Sequence, residues 1–280
     1  MASLHDALKV INAIISRAVT TRFLAMTIIC AGNYQFDVNC AVFDKDGTLI
    51  DFEPAWGQRI RDWIACIVNM TGGEESLAGA LFHTIGYDPL SREVAVDGPI
   101  LAASGNTMKI LAATVLYQEI GLPWYQAEEV ATDSLRAIFS SPLTDEEIQP
   151  LGDVQGTIGS MQEAGIAIVV APADNRAIAE HCLNVLGIRQ EVSLLMCGDD
   201  PLPQKPDGKV LAHIASELDT APAQILMIGD TINDMLTGRN GDAAGCIGIS
   251  ASNTNGAHVL APFADTILPS IAELQLGCRK

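Results

Sequence analysis

Basic residues are scarce in this chain of 280 residues. Lysine and arginine number 16 against 34 aspartates and glutamates, a formal charge of −18 at pH 7. A nucleic-acid partner is thereby disfavoured, because binding phosphates of a duplex needs clustered cations. The acid excess also makes a phosphate ester an awkward ligand unless a metal ion intervenes locally. Solubility is its plainer use. Paired cysteines are missing as well. Cys30, Cys40, Cys66, Cys182, Cys197, Cys246 and Cys278 are odd in number and scattered, with no C-x-x-C pair. Neither a zinc site nor a disulfide framework is indicated. Several lie in apolar runs, where a reduced thiol packs as a small hydrophobe, and a cytoplasmic setting is expected.

Long apolar runs are lacking too. Phe23–Ala31 falls well short of the roughly 20 residues that cross a bilayer. It closes an N-terminal extension, residues 1–36, in which Leu8, Ile11, Ile15 and Ala18 follow helical spacing. There Lys9, Arg17 and Arg22 face one acid, Asp6, a balance resembling a transit peptide, yet no clear A-x-A cleavage site follows. A helix docked on the domain, a dispensable start and a targeting segment are the readings open for it. Internal repeats and low-complexity segments are absent.

What is present is a large apolar fraction, 49%, enough for a sizeable core in one or two compact units. Val38–Phe43 reads as a short buried strand. From Pro54 to about Pro150 the pattern is helical, with Trp56, Ile60, Trp63, Ile64 and Ile67 on one stripe. After Gly152 strands and helices alternate. Strands are predicted at Ile166–Ala171, Val192–Met196, Ile225–Ile228, Cys246–Ile249 and Thr266–Leu268, and helices at Arg176–Leu186, Gly208–Leu218 and Asn233–Arg239. Repeated units of this length imply an α/β fold with a parallel sheet covered on both faces. The first strand precedes the helical stretch and the others follow it. The expected architecture is therefore a core of residues 37–52 and 152–280 with a helical domain, residues 53–151, inserted into its first loop.

Ligands in such a sheet bind at the carboxyl ends of the strands. Directly after the first strand comes Asp44-Lys45-Asp46-Gly47-Thr48-Leu49. Two acids two residues apart can bind a divalent cation, or one can attack while the other handles a proton. By itself the Asp-Gly step is an ordinary turn. After Ile225–Ile228 comes Gly229-Asp230-Thr231-Ile232-Asn233-Asp234, whose acids lie one helical turn apart and can face one cleft. Alone, that pair reads equally as an N-cap with an acid in the first turn. Lys205, in Gln204-Lys205-Pro206, carries almost no information in isolation. In this order the three segments supply what phosphoryl transfer through a carboxylate needs: nucleophile, proton donor, cation site and a lysine to offset charge.

The three segments resemble the D-x-D-G-T-L first motif, the lysine-bearing third motif and the G-D-x-x-x-D fourth motif of the haloacid dehalogenase superfamily. The likeness spans about residues 38–270 and is most like the phosphoglycolate phosphatase branch, whose helical cap follows the first motif. That resemblance implies a Rossmann-like core and a Mg²⁺-dependent phosphatase acting on a small phosphorylated metabolite, phosphoglycolate-like. It implies that Asp44 attacks phosphorus and that Asp46 protonates the leaving alcohol and then activates water. Asp44, the Asp46 carbonyl and Asp230 would hold Mg²⁺. Lys205 would steady Asp44 and the phosphoryl oxygens, oriented by Asp234, while Gly47 and Thr48 line the phosphate pocket. Asp46 argues against a dehalogenase, since halide leaves without a proton.

One departure stands out. The second motif's hydroxyl is expected at Pro172, or else at Ala171, and neither residue has one. The backbone N–H of Ala173 is then the expected phosphate donor, with Asn175 a candidate to compensate. A catalytically weakened member with a binding role is thus one alternative, and a sugar phosphomutase of the same superfamily another. Trp56, Arg59, Arg61, His83, Tyr87, Arg92 and Asn106 are the possible substrate contacts in the cap.

Overall fold

The computed structural model describes residues 26–102, 105–251 and 256–277. Its centre is a six-stranded parallel sheet in the order β5-β4-β3-β6-β7-β8. The strands are β3 (Cys40–Phe43), β4 (Ala167–Val170), β5 (Val192–Leu195), β6 (Ile225–Gly229), β7 (Gly245–Ile249) and β8 (Thr266–Leu268). Residues of β3, β4, β6 and β7 are buried throughout, as expected of a sheet with both faces covered. Side-chain alternation divides them cleanly. Ala41, Phe43, Ile168, Val170, Leu226 and Ile228 join the core on one face, and Cys40, Val42, Ala167, Val169, Ile225 and Met227 the core on the other. The strand order reverses at β3, which pairs with β4 on one side and β6 on the other. A crevice therefore opens at the carboxyl end of β3.

Between β3 and β4 the chain leaves the sheet for a helical cap. A π-helical turn, Glu53–Gly57, runs into α1 (Gln58–Thr71), followed by α2 (Glu75–Ile85), α3 (Gly105–Glu119) and α4 (Trp124–Phe139). Ile60, Trp63, Ile64 and Ile67 form the buried stripe of α1 and meet Leu77, Leu81, Leu116, Ala127 and Ala131 in a core of their own. The single-stripe pattern of α1 gives it this inward face. The α1 helix ends at Gly72, whose φ of +61° lies in the left-handed region that favours glycine. Arg59 fastens α1 to the returning chain. Its guanidinium donates to the carbonyls of Ser141 and Pro142 and to Glu147, whose carboxyl it holds down at about 2.

The return leads through α5 (Val154–Glu163) to β4, and the core is completed by α6 (Arg176–Val185), α7 (Lys209–Glu217) and α8 (Ile232–Asn240). These agree with the predicted helices within two residues at each end, except α5, for which no helix is predicted.

The reading of residues 1–36 as a separate extension needs correction from residue 26 onward. Thr27–Ala31 (β1) and Tyr34–Val38 (β2) form an antiparallel hairpin, and β1 also pairs with Gln275–Gly277 (β9), far along the chain. The loop is Gly32-Asn33, with Gly32 at φ +57°, a two-residue connection that suits the strand twist. Phe36 and Val38 are buried while Tyr34, Gln35 and Asp37 are exposed. The Phe36 ring lies over Gly245, where an added Cβ would come within 2.2 Å of it. The hairpin is thus part of the α/β unit rather than a helix. The helical stripe Leu8, Ile11, Ile15 and Ala18 lies outside the described residues. Among the described residues, no helix is long and apolar enough to cross a membrane.

The cap core is most sensitive at Trp63, 1% exposed, whose indole N–H donates to the buried Ser134 hydroxyl at 3.0 Å. Trp63→Ala is expected to destabilise the cap by about 3–5 kcal/mol, and Trp63→Phe by clearly less. Urea unfolding followed by circular dichroism at the helical band would measure both.

Candidate active site

The turn after β3 is folded around one carbonyl. Thr48, Leu49 and Ile50 donate their N–H groups to the oxygen of Lys45 at 3.3, 2.8 and 3.0 Å. Leu49 and Ile50 are fully buried and anchor the turn. Gly47 lies at φ +76°, and an added Cβ there would sit 2.2 Å from the Asp230 carboxylate. Glycine is required on both counts. Thr48 is wholly buried and its hydroxyl donates to Asp230 Oδ1 at 3.3 Å. It therefore braces that carboxylate instead of lining a phosphate pocket.

Asp44 leaves β3 with its N–H bonded to the Ile228 carbonyl at 2.9 Å, which fixes it beside the end of β6. Lys205 arrives from the loop before α7. Its ammonium donates to Asp44 Oδ1 at 2.5 Å and to Asp234 Oδ1 at 2.6 Å. The second oxygen of Asp234 accepts from the N–H and hydroxyl of Thr231 at 3.0 and 2.5 Å, a capping box that starts α8. Burial alone would lower the Lys205 pKa, but Asp234 and Asp44 outweigh it and the ammonium is held firmly charged.

Carboxylates outnumber cations here. Oxygens of Asp44, Asp230 and Asp234 lie within 4.8 Å of one another. Burial, then the charges of Asp44 and Asp234, push the Asp230 carboxyl well above its ordinary range. Burial likewise raises Asp44 to about 7, with Lys205 acting against the rise and Asp234 with it. Both oxygens of Asp234 are already engaged, so Asp44 and Asp230 are the carboxylates available to a divalent cation. Hard oxygen donors with unbalanced negative charge fit Mg²⁺ or a similar ion.

A second network lies beside the first. Lys45, fully buried, meets Asp46 at 2.6 Å and Asp174 at 2.9 Å. Asp46 also accepts the indole N–H of Trp56, from the start of the cap, at 2.7 Å. Asp174, two residues past Pro172, is raised to about 6 by burial and by the charge of Asp46, with Lys45 opposing. Both networks open on one cleft of about 520 Å³, between the strand ends and the cap. Asp44, Asp46, Ala173, Lys205 and Thr231 line it from the core.

With this geometry in view, comparison with known proteins decides the family. The family model of haloacid dehalogenase-like hydrolases matches residues 38–242. The chain belongs to the haloacid dehalogenase-like hydrolases. Among its relatives, the phosphoglycolate phosphatase of Agrobacterium fabrum is 28% identical over 221 residues, covering 77% of this chain and 82% of that one. The phosphoglycolate phosphatase of Neisseria gonorrhoeae is 29% identical over 232 residues, covering 83% and 87%. In fold, the chain is similar to a HAD phosphatase from Thermococcus onnurineus, with TM-score 0.56 and 15% identity over 84% of this chain and 94% of the other.

In this haloacid dehalogenase-like hydrolase, the residues expected to act together do converge. Asp44, Asp46, Gly47, Lys205, Asp230 and Asp234 all gather at the carboxyl ends of β3 and β6. Pro172 and Ala171, the positions expected to have lost a hydroxyl, are both buried, and the lining residues of that loop are Ala173, Asp174 and Asn175. Asn175 Oδ1 is spent as the N-cap of α6, accepting from Ile178 N–H at 3.0 Å. Of the cap candidates, Trp56 bonds a motif residue and Arg92 lines a small cavity with Gly47 and Asp230, while Arg59 and Arg61 are committed to Glu147 and Glu53. Sequence reasoning missed the pairing of Lys45 with Asp174. The signal available was a lysine wedged between two acids at the end of an apolar strand.

Stability follows from the raised carboxyls. A carboxyl held protonated in the folded state but ionised when unfolded makes stability fall as pH rises. For Asp44 this fall extends from the ordinary carboxylate range up to about pH 7. Without divalent cation, the melting temperature is expected to drop over that window, and Asp230→Asn to flatten the drop. At a Mg²⁺ concentration about 100 times its Kd, wild type should gain about 2.7 kcal/mol, on the order of 5–10 °C, and Asp230→Asn much less. Differential scanning fluorimetry with and without MgCl₂ reads both effects.

Proposed function

We propose that the protein is a Mg²⁺-dependent phosphatase that hydrolyses a small organic phosphate monoester through an aspartyl-phosphate intermediate. The observation that carries this reading is the double contact of the Lys205 ammonium with Asp44 and Asp234, next to Asp230 and within the same cleft as Asp46. The relatives named phosphoglycolate phosphatase support the ester chemistry. Buried, unpaired thiols support a reducing, cytoplasmic setting.

In the first half-reaction an Asp44 carboxylate oxygen bonds to phosphorus as the ester P–O bond breaks. The departing oxygen takes a proton from Asp46. In the second, water attacks phosphorus, its proton passes to Asp46, and the bond from Asp44 to phosphorus breaks, releasing inorganic phosphate. Lys205 holds one oxygen of Asp44 so that the other faces the substrate, and Asp234 keeps the lysine from swinging away. Lys45 and the Trp56 indole fix the rotamer of Asp46. Mg²⁺ held by Asp44, Asp230 and the Asp46 carbonyl would offset charge on the phosphoryl oxygens and restore Asp44 to its ionised form. The N–H of Ala173 serves as a phosphoryl donor at the loop where the family hydroxyl is missing. The cap excludes bulk water and screens the substrate from the acidic exterior.

Asp44→Asn is expected to lower kcat on a generic aryl phosphate by about 10⁴-fold or more with the fold intact by circular dichroism. Asp46→Asn should cost about 10²–10⁴-fold, least for the best leaving groups, which need no proton. Equal turnover by wild type and Asp44→Asn would remove the proposed nucleophile.

A further inference from the structure

The cleft has two unlike walls, and among the described residues its cap wall holds no charged side chain to receive a charged leaving group. Phe52, Trp56, Ile60, Ile100, Leu101 and Phe139 form it. The Trp56 and Phe139 rings lie 6.3 Å apart at 33°, making a continuous aromatic surface over the reacting groups. Trp56 has already given its only donor to Asp46.

Two arginines of the cap are turned elsewhere. Arg59 is bound to Glu147 and two carbonyls, and Arg61 to Glu53, Gln58 and Tyr87. Arg92, 65% exposed in its side chain, lines a smaller adjoining cavity that shares Phe52 and Leu101 with the cleft and reaches Gly47 and Asp230. Among the described residues that line the main cleft, Lys205 is the one cation, and Asp44 and Asp234 hold it. Asp174 and Asp199 add negative charge to the same lining.

We infer that the substrate is a phosphate monoester of a neutral, apolar alcohol of about ring size, and that esters whose leaving group carries a carboxylate are poor substrates. This rests on the phosphatase reading and narrows it away from phosphoglycolate, whose alcohol is itself an acid. A carboxylate against the Trp56–Phe139 wall would lose its water and gain no partner. Facing the core instead, it would meet Asp174 and Asp199. A benzyl-sized group would bury its faces on the two rings, where offset or tilted stacking is favourable.

The test separates binding from turnover. Benzylphosphonate and para-carboxybenzylphosphonate, neither of them hydrolysable, are titrated calorimetrically into the whole protein with MgCl₂ present. The neutral compound is expected to bind about tenfold tighter or better. The corresponding phosphates are assayed in parallel for phosphate release, with the same preference expected in kcat/KM. Equal or tighter binding of the carboxylate compound overturns the inference, whatever the enzyme turns over. A neutral preference in binding with no hydrolysis of either ester upholds the ligand class and sinks the phosphatase reading. Arg92→Ala should leave the ratio unchanged; a selective loss of the carboxylate compound's binding would place its receptor at Arg92 and refute the proposal. Phe139→Arg, which adds a cation to the wall, should narrow the ratio.

Discussion

One ammonium at the floor of the cleft holds the site together. Lys205 reaches Asp44, from the end of β3, and Asp234, from the first turn of α8, at the same time. Three segments distant in sequence are fixed by that group, and Asp44 and Lys205 depend on each other for their protonation states. Remove the lysine and two carboxylates would stand against each other in a region from which water is largely excluded, a situation that is strongly destabilising. Even with it, Asp230 remains uncompensated by any described cation of its own, which is why burial raises it so far. The fold tolerates a local excess of negative charge at the place where a cation and a phosphoryl group are to be received.

Lys45, adjacent to Asp44, has a matching role. Neighbouring residues leaving a strand face opposite ways, so Asp44 turns to Lys205 while Lys45 turns to Asp46 and Asp174. The two lysines divide the acids between them and keep Asp44 and Asp46 from sharing one partner. Trp56 extends the second network into the cap through its bond to Asp46. The orientation of that acid thereby depends on where the first turn of the cap lies. This bond crosses between the core of the α/β unit and that of the cap, and Trp56 packs against both.

Much of this is legible in the sequence because it rests on local pattern. The strands of the sheet stand out as short apolar runs, and α1 as a single stripe of Ile60, Trp63, Ile64 and Ile67. The α5 helix does not, because Gly156, Thr157, Gly159 and Ser160 are weak helix formers; it is held by packing of Val154, Ile158 and Met161 and by an Asp153 cap. The β1–β2 hairpin is obscured by its position next to a basic, helix-patterned segment, although Gly32-Asn33 between apolar runs is a usable turn signal. At the site, the motif acids can be ordered from sequence, but the inward turn of Thr48 and the burial of Asp174 cannot. Both depend on which way a loop residue points once the cap is in place.

The pairing of β1 with β9 joins residues almost 250 positions apart, Ile28 opposite Gly277 and Cys30 opposite Gln275. During synthesis the hairpin emerges early, yet among the described residues its inner edge gains a neighbour only when residues 275–277 leave the ribosome. Until then β1 presents open backbone donors and acceptors, with Ile28 and Ile29 beside them, to any strand at hand. Nascent chains stalled before residue 275 should therefore be the most adhesive form of this protein, and closing that short seam is what ends the exposure.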